Sequence, residues 1–120
     1  MANQKKILII EDDEGIREAL QLILSDHYDI ILTEDGQQGM ECLYKENSIQ
    51  CVLLDIKLPQ INGLDILKTI KEKRPECKTI IVTGYKSVET VSQAAKIGAD
   101  GYITKPFDAS DILETVKKFM

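Results

Sequence analysis

The sequence predicts an α/β fold: a doubly wound, five-stranded parallel sheet made by repeating a βα unit five times. Three observations predict it. Short apolar runs alternate with amphipathic stretches along all 120 residues. The runs are apolar throughout rather than alternating with polar residues, as in parallel strands covered on both faces. No repeat, linker or low-complexity stretch interrupts the alternation, so one domain is expected over residues 1–120.

"ILII" (Ile7 to Ile10) is the first strand, rich in β-branched residues. Ile16, Leu20, Ile23 and Leu24 then recur at helical spacing. "YDIILT" (Tyr28 to Thr33) is the second strand, expected at a sheet edge, with Thr33-Glu34-Asp35 as turn and helix cap. A weaker helix follows from Gly36 to Glu46, turning Met40 and Leu43 inward. "CVLL" (Cys51 to Leu54) is the third strand. Leu64, Leu67 and Ile70 form the stripe of the next helix, which Pro75 stops. "TIIVT" (Thr79 to Thr83) is the fourth strand. Its helix is expected to bury Val88, Val91 and Ala95 and to stop at Gly98. "GYIT" (Gly101 to Thr104) is the fifth strand. The last helix starts at Asp108, with Asp111 completing a variant capping box, and buries Ile112, Leu113, Val116 and Phe119.

A net charge of −5 argues against nucleic-acid binding by this segment and favours a basic or neutral partner surface. No apolar run approaches the roughly 20 residues that span a bilayer. "MANQKK" is not followed by a signal-type stretch. Cys42, Cys51 and Cys77 are odd in number and form no C-x-x-C pair, so they read as small buried hydrophobes in a reducing, cytoplasmic setting. His27 is the only histidine, which leaves a structural zinc site without ligands and His27 itself as a solvated residue near a helix end.

A doubly wound sheet places its site at the carboxyl ends of the strands, beside the point where strand order reverses. Glu11, Asp12 and Asp13 follow the first strand, Asp55 the third, Thr83 and Gly84 end the fourth, and Lys105-Pro106 follows the fifth. Singly, each has an ordinary reading. "EDDE" can cap a helix, Asp55 can sit in a turn, Thr83 can bond locally, and Lys105 can be a surface lysine. Together at consecutive strand ends they converge on one pocket. Carboxylates about 5 Å apart at an effective dielectric near 20 repel by roughly 3 kcal/mol per pair. Such a cluster needs protons or a cation, and its oxygen donors suit a hard divalent ion.

The motifs "ILIIEDDEGIR", "VLLDIKLPQINGLDIL", "TIIVTGY" and "GADGYITKPFD" occur in this order over essentially the whole chain. With them the sequence resembles the receiver domain of two-component response regulators. The resemblance implies a flavodoxin-like strand order 2-1-3-4-5. Asp55 matches the phosphoacceptor. Asp12 matches the direct ligand of Mg²⁺ (Mn²⁺ as a substitute), with Glu11 acting through water and the backbone carbonyl of Lys57 as a further ligand. A one-residue slip in the alignment would give Asp13 the direct role instead. Thr83 matches the hydroxyl that bonds the phosphoryl group, and Lys105 the paired lysine, whose bond to Pro106 is expected to be cis. Tyr102 matches the aromatic switch position, with a static half-buried ring as the alternative.

The function implied is Mg²⁺-dependent acceptance of a phosphoryl group by Asp55 from a phosphohistidine donor. The domain would assist its own phosphorylation and dephosphorylation without being a multiple-turnover enzyme. Thr83 and Tyr102 would then switch the face made by the fourth helix, fifth strand and fifth helix. Lys57, Gly84 and Tyr85 flank the pocket mouth, Gly84 leaving room beside Thr83. Lys57 and Tyr85 are expected to slow loss of the phosphoryl group, and Pro59 to stiffen the loop after Asp55. Implied partners are a histidine kinase or histidine phosphotransfer protein, and a downstream effector protein or C-terminal effector domain. Gly15, Ile16, Ala19, Pro106 and Phe107, with Tyr85, form a candidate docking patch; core packing of Ile16 and Phe107 is the alternative. "KKFM" does not decide between a stand-alone receiver and the N-terminal piece of a transcription factor.

Two other classes share parts of this pattern. A flavin or nucleotide binder would want a Gly/Ser/Thr-rich phosphate loop after the first strand, where the acidic run stands. A phosphatase using an aspartyl phosphate, of the haloacid-dehalogenase-like kind, needs a second Asp two residues after the nucleophile, and Lys57 holds that place.

Overall fold

A computed structural model describes residues 5–58, 61–84 and 88–120. The expectations for Pro59 and Tyr85 lie outside the described residues. In chain order the elements are β1 (Lys6–Ile10), α1 (Glu14–Leu24), β2 (Asp29–Thr33), α2 (Gly36–Lys45), β3 (Ile49–Leu54), α3 (Gly63–Lys73), β4 (Lys78–Thr83), α4 (Val88–Ile97), β5 (Gly101–Thr104) and α5 (Ala109–Phe119). The strands form one parallel sheet in the order β2-β1-β3-β4-β5.

The period of two along each strand divides the core into two halves. Leu8, Ile10, Val52, Leu54 and Ile81 face Leu43 of α2, Ile66, Leu67 and Ile70 of α3 and Ala94 of α4. Ile7, Ile9, Cys51, Leu53, Ile80, Val82 and Ile103 face Leu20 and Leu24 of α1 and Ile112 and Val116 of α5. Both sheet faces are therefore dry, which explains strands that read as unbroken apolar runs. Burial pushes the thiols of Cys51 and Cys77 up, to about 12 and about 11. They pack as hydrophobes, as read from the sequence, and Cys42 is half-buried. His27 is exposed just past α1.

The caps explain the boundaries. Asp13, Asp35, Asn62 and Asp108 each accept a backbone N–H of the helix that follows, and Asp108 with Asp111 completes a capping box. Gly98 ends α4 with φ of 125°, a conformation glycine adopts without a Cβ penalty.

Helix faces depart from the sequence reading in three places. In α5, Ile112 and Val116 are buried, but Leu113 and Phe119 are only half-buried against the core. In α4, Val88 and Ala95 are exposed; Ala94 is buried, with Val91 and Ile97 half-buried beside it. The i, i+3, i+6 stripe with a small residue at its centre wins because α4 packs on α3 as well as on the sheet. In α3, Ile66 joins Leu67 and Ile70 in the core and Leu64 is only half-buried. β3 also starts two residues earlier than its apolar run, at Ile49, because polar Gln50 sits exposed within the strand.

One cation organises the far end of the sheet. Arg74, at the C-cap of α3, donates to the carbonyls of Leu43 (3.1 Å), Glu46 (3.3 Å), Asn47 (3.0 Å) and Ile49 (3.0 Å). Leu43 and Glu46 stand at the end of α2, Asn47 in the connection and Ile49 at the start of β3, so one guanidinium ties the end of α2 to the start of β3.

Candidate functional site

Strand order reverses between β1 and β3, because the chain leaves β1 for β2 on one side and returns to β3 on the other. Register then sets the site. Ile10 is opposite Leu54, so the next residues, Glu11 and Asp55, stand side by side; Asp55 N–H donates to the Ile10 carbonyl at 3.0 Å. Thr83 ends β4 opposite Thr104, and Lys105 N–H donates to the Thr83 carbonyl at 3.0 Å. Four separate strand ends thus bring Glu11, Asp55, Thr83 and Lys105 to the same edge of the sheet.

Glu11 is 2% exposed and Asp55 5%, whereas Asp12 is exposed. One oxygen of each lies within 4.8 Å of the others, among the described residues. Lys105 Nζ lies 2.6 Å from Glu11 Oε1, an ion pair without the alignment of a hydrogen bond. It donates a hydrogen bond to Asp55 Oδ2 at 3.1 Å. The other Asp55 oxygen accepts the Lys57 N–H at 2.9 Å, and Glu11 Oε2 accepts the Asp13 N–H at 3.2 Å.

These contacts carry electrostatic consequences. Burial, reinforced by the nearby Asp55 charge, pushes the Glu11 carboxyl up to about 7 against the opposing pull of Lys105. Burial alone would lower Lys105; the Glu11 and Asp55 carboxylates more than offset it, and its ammonium is held more firmly protonated. The Tyr102 hydroxyl is raised by burial and then by the Asp55 charge. Oxygen donors crowded this closely, two of them buried, fit a hard divalent cation.

The loop after Asp55 is held by a backbone contact. Gly63 N–H donates to the Ile56 carbonyl at 3.1 Å, and Lys57 and Asn62 form an isolated bridge. A Cβ on Gly63 would stand 2.2 Å from Ile56 Cα. Only glycine lets the first turn of α3 close on the residue after Asp55. The sequence carried a sign of this in Asn62-Gly63, a cap followed by the smallest residue, but not the contact itself.

The other anticipated residues are placed as follows. Asp13 caps α1 through Ile16 N–H at 3.0 Å and stands outside the acidic cluster, so the helix-cap reading of the acidic run holds for that residue. The Lys105-Pro106 peptide is cis. Gly84 is exposed, and among the described residues a Cβ there would meet Lys105 Cβ, at 3.9 Å. Lys57 is exposed and Tyr102 half-buried. Gly15 and Pro106 are exposed; Ala19 is half-buried; Ile16 and Phe107 are half-buried against the core under α1 and α5. Sequence reading missed Arg17, which donates to the carbonyls of Glu11 and Asp12, both at 2.9 Å. No motif signals a side chain whose partners are main-chain oxygens.

This fold and this cluster at the carboxyl edge of the sheet define a class. The family model of the response regulator receiver domain matches residues 7–117, and the chain belongs to that family. It is therefore a receiver domain of two-component signalling, a signalling module. Among its relatives, sporulation initiation phosphotransferase F of Bacillus subtilis is 33% identical over 117 residues, 97% of this chain and 94% of the relative. The transcriptional regulatory protein DltR of Streptococcus agalactiae is 36% identical over 113 residues, 93% of this chain; the chain spans about half (50%) of that relative's length. Among solved structures, a CheY-like receiver domain protein from Methanospirillum hungatei JF-1 superposes with a TM-score of 0.90 at 36% identity, covering 97% of this chain and 93% of the other. The BeF3-activated DrrB receiver domain gives 0.87 at 33% identity, covering 97% of each chain.

Proposed function

We propose that Asp55 accepts a phosphoryl group from a phosphohistidine on a histidine kinase or phosphotransfer protein, and that the modified domain controls a downstream effector. The observation that carries this is the meeting of three carboxylates and one ammonium at the carboxyl ends of β1, β3 and β5. An Asp55 carboxylate oxygen attacks phosphorus, the phosphorus–nitrogen bond breaks, and the departing imidazole keeps the electron pair. Lys57 N–H holds one Asp55 oxygen and so fixes the direction from which the carboxylate presents itself. Lys105 exchanges its carboxylate partners for a phosphoryl oxygen and neutralises part of the transferring charge. Asp12, Asp55 and the Lys57 carbonyl, with Glu11 acting through water, would hold Mg²⁺ or Mn²⁺ in its place, which would supply the remaining charge neutralisation.

The acyl phosphate adds roughly −1.5 to −2 charges and three acceptor oxygens. Thr83, buried at the end of β4, turns its hydroxyl to one of these oxygens. The space it leaves admits the ring of Tyr102, and the α4-β5-α5 face changes shape. Lys57 and Tyr85 impede in-line water and prolong the modified state. Gly15, Ile16, Ala19, Pro106 and Phe107, from α1 and the segment after Lys105, receive the donor's helix. The effector is a separate protein or a further domain.

The test is incubation with a small-molecule phosphodonor with and without Mg²⁺, followed by intact mass. One added phosphoryl group is expected, dependent on Mg²⁺ and lost in Asp55→Asn. Labelling that persists in that variant would refute the assignment.

A further inference from the structure

We propose that Arg17 is a positioning residue for the two acidic side chains that follow β1. Its Nη1 donates to the carbonyls of Glu11 and Asp12, each at 2.9 Å. These carbonyls belong to the successive peptides on either side of the Asp12 Cα. Fixing both peptides fixes the direction in which the Asp12 side chain leaves the backbone. Asp12 is exposed, so core packing does not orient it.

The same guanidinium reaches Glu11 through one peptide unit. The Asp12 carbonyl accepts from Arg17, and the N–H at the other end of that peptide, on Asp13, donates to Glu11 Oε2 at 3.2 Å. Arg17 is itself held. Its side chain is 15% exposed, and Nη2 lies 3.7 Å from the Glu34 carboxylate just past β2. Backbone bonds complete the frame: Arg17 N–H donates to the Asp13 carbonyl at 2.9 Å and Glu11 N–H to the Thr33 carbonyl at 3.1 Å. The acidic loop is thereby tied to α1 and to β2 at once.

A second role would act with the opposite sign. A cation beside a metal site repels the metal, so a guanidinium acting only through charge would weaken metal binding and its loss would tighten it. A guanidinium that orients the ligands strengthens binding, and its loss weakens it. Partners that orient metal ligands are typically worth about 10–100-fold in affinity. The geometry favours the orienting role, because both bonds go to carbonyl oxygens that carry the loop.

The inference rests on the Mg²⁺ reading above, and one set of titrations separates the two. Mg²⁺ dissociation constants are measured by calorimetry on the full chain for wild type, Arg17→Lys, Arg17→Gln and Asp12→Asn. Metal-free circular dichroism establishes that each is folded. Arg17→Lys keeps the charge but loses the planar fork, and is expected to weaken Mg²⁺ binding at least several-fold. Arg17→Gln is expected to weaken it by about tenfold or more. Wild-type affinity in Arg17→Lys, or tighter binding in Arg17→Gln, would overturn the positioning role while leaving the Mg²⁺ reading intact. Absence of Mg²⁺ binding by the wild type would overturn both. If Arg17→Gln does not fold, Arg17→Lys still decides.

Discussion

Gly63→Ala tests whether the loop after Asp55 is set by a backbone contact. A Cβ at this position would lie 2.2 Å from Ile56 Cα, 2.6 Å from its carbonyl oxygen and 2.7 Å from its carbonyl carbon. Ordinary contact begins near 3.4 Å, so the gap must open by about 1.2 Å (3.4 less 2.2). The opposing atoms are backbone and have no rotamer to change. Overpacking of this kind costs about 1–3 kcal/mol. Loss of the Gly63 N–H to Ile56 carbonyl bond adds about 1 kcal/mol. The better helix propensity of alanine returns up to about 1 kcal/mol. The net expectation is a destabilisation of about 1–3 kcal/mol, read as a midpoint shift on the order of 1 M in urea. Ile56 directly follows Asp55, and misplacing a reacting group by about 1 Å can cost roughly 100-fold in rate. Phosphoryl labelling of the folded variant, followed by intact mass, should slow accordingly. A wild-type midpoint together with wild-type labelling would refute the reasoning. A shifted midpoint with unchanged labelling would show that the strain relaxes away from Asp55.

Arg74→Ala should cost about 2–3 kcal/mol in chemical denaturation, because four carbonyls lose a cationic donor. Labelling of Asp55 should not change, since Arg74 serves the opposite end of the sheet. Asp12→Asn should raise the melting temperature of metal-free protein by a few degrees, as one of three carboxylates within 4.8 Å loses its charge, and should abolish the further rise expected of the wild type on adding Mg²⁺. An unchanged metal-free melting temperature would count against repulsion in the cluster. Replacing both Lys57 and Tyr85 by alanine should shorten the half-life of the phosphorylated form; an unaltered decay would remove these side chains from control of water access.

Much of the fold was legible because both of its signals are local. A strand covered on two faces needs an apolar residue at every position, and the runs at Ile7, Ile30, Cys51, Ile80 and Tyr102 supply it. Capping is equally local, so Asp35 and the Asp108–Asp111 box were readable from their spacing. The faces of α4 were not. Val88, Val91 and Ala95 satisfy a helical period as well as Val91, Ala94 and Ile97 do. Only packing against α3 and the sheet selects the second set, which leaves Val88 84% exposed.

The candidate site divides in the same way. Residue types and their places after the strands pointed to Glu11, Asp12, Asp55, Thr83 and Lys105, because strand ends in a doubly wound sheet share one edge. The Gly63 contact and the Arg17 bonds were not readable as site features. Each depends on where a backbone N–H, carbonyl or Cα lies in space, and side-chain identity does not encode that.

By itself the sequence determined the order of elements, the two-faced burial of the sheet and the chemistry available at its carboxyl edge. These follow from hydrophobic periodicity and from one topological rule, and both act through residue type. Tertiary structure alone decided that Lys105 bridges Glu11 and Asp55, that burial drives Glu11 up to about 7, and that glycine and arginine hold the loops on either side. Those outcomes depend on distances of a few ångströms between residues far apart in the chain, where desolvation and Coulomb energy change steeply and residue order carries no record of them.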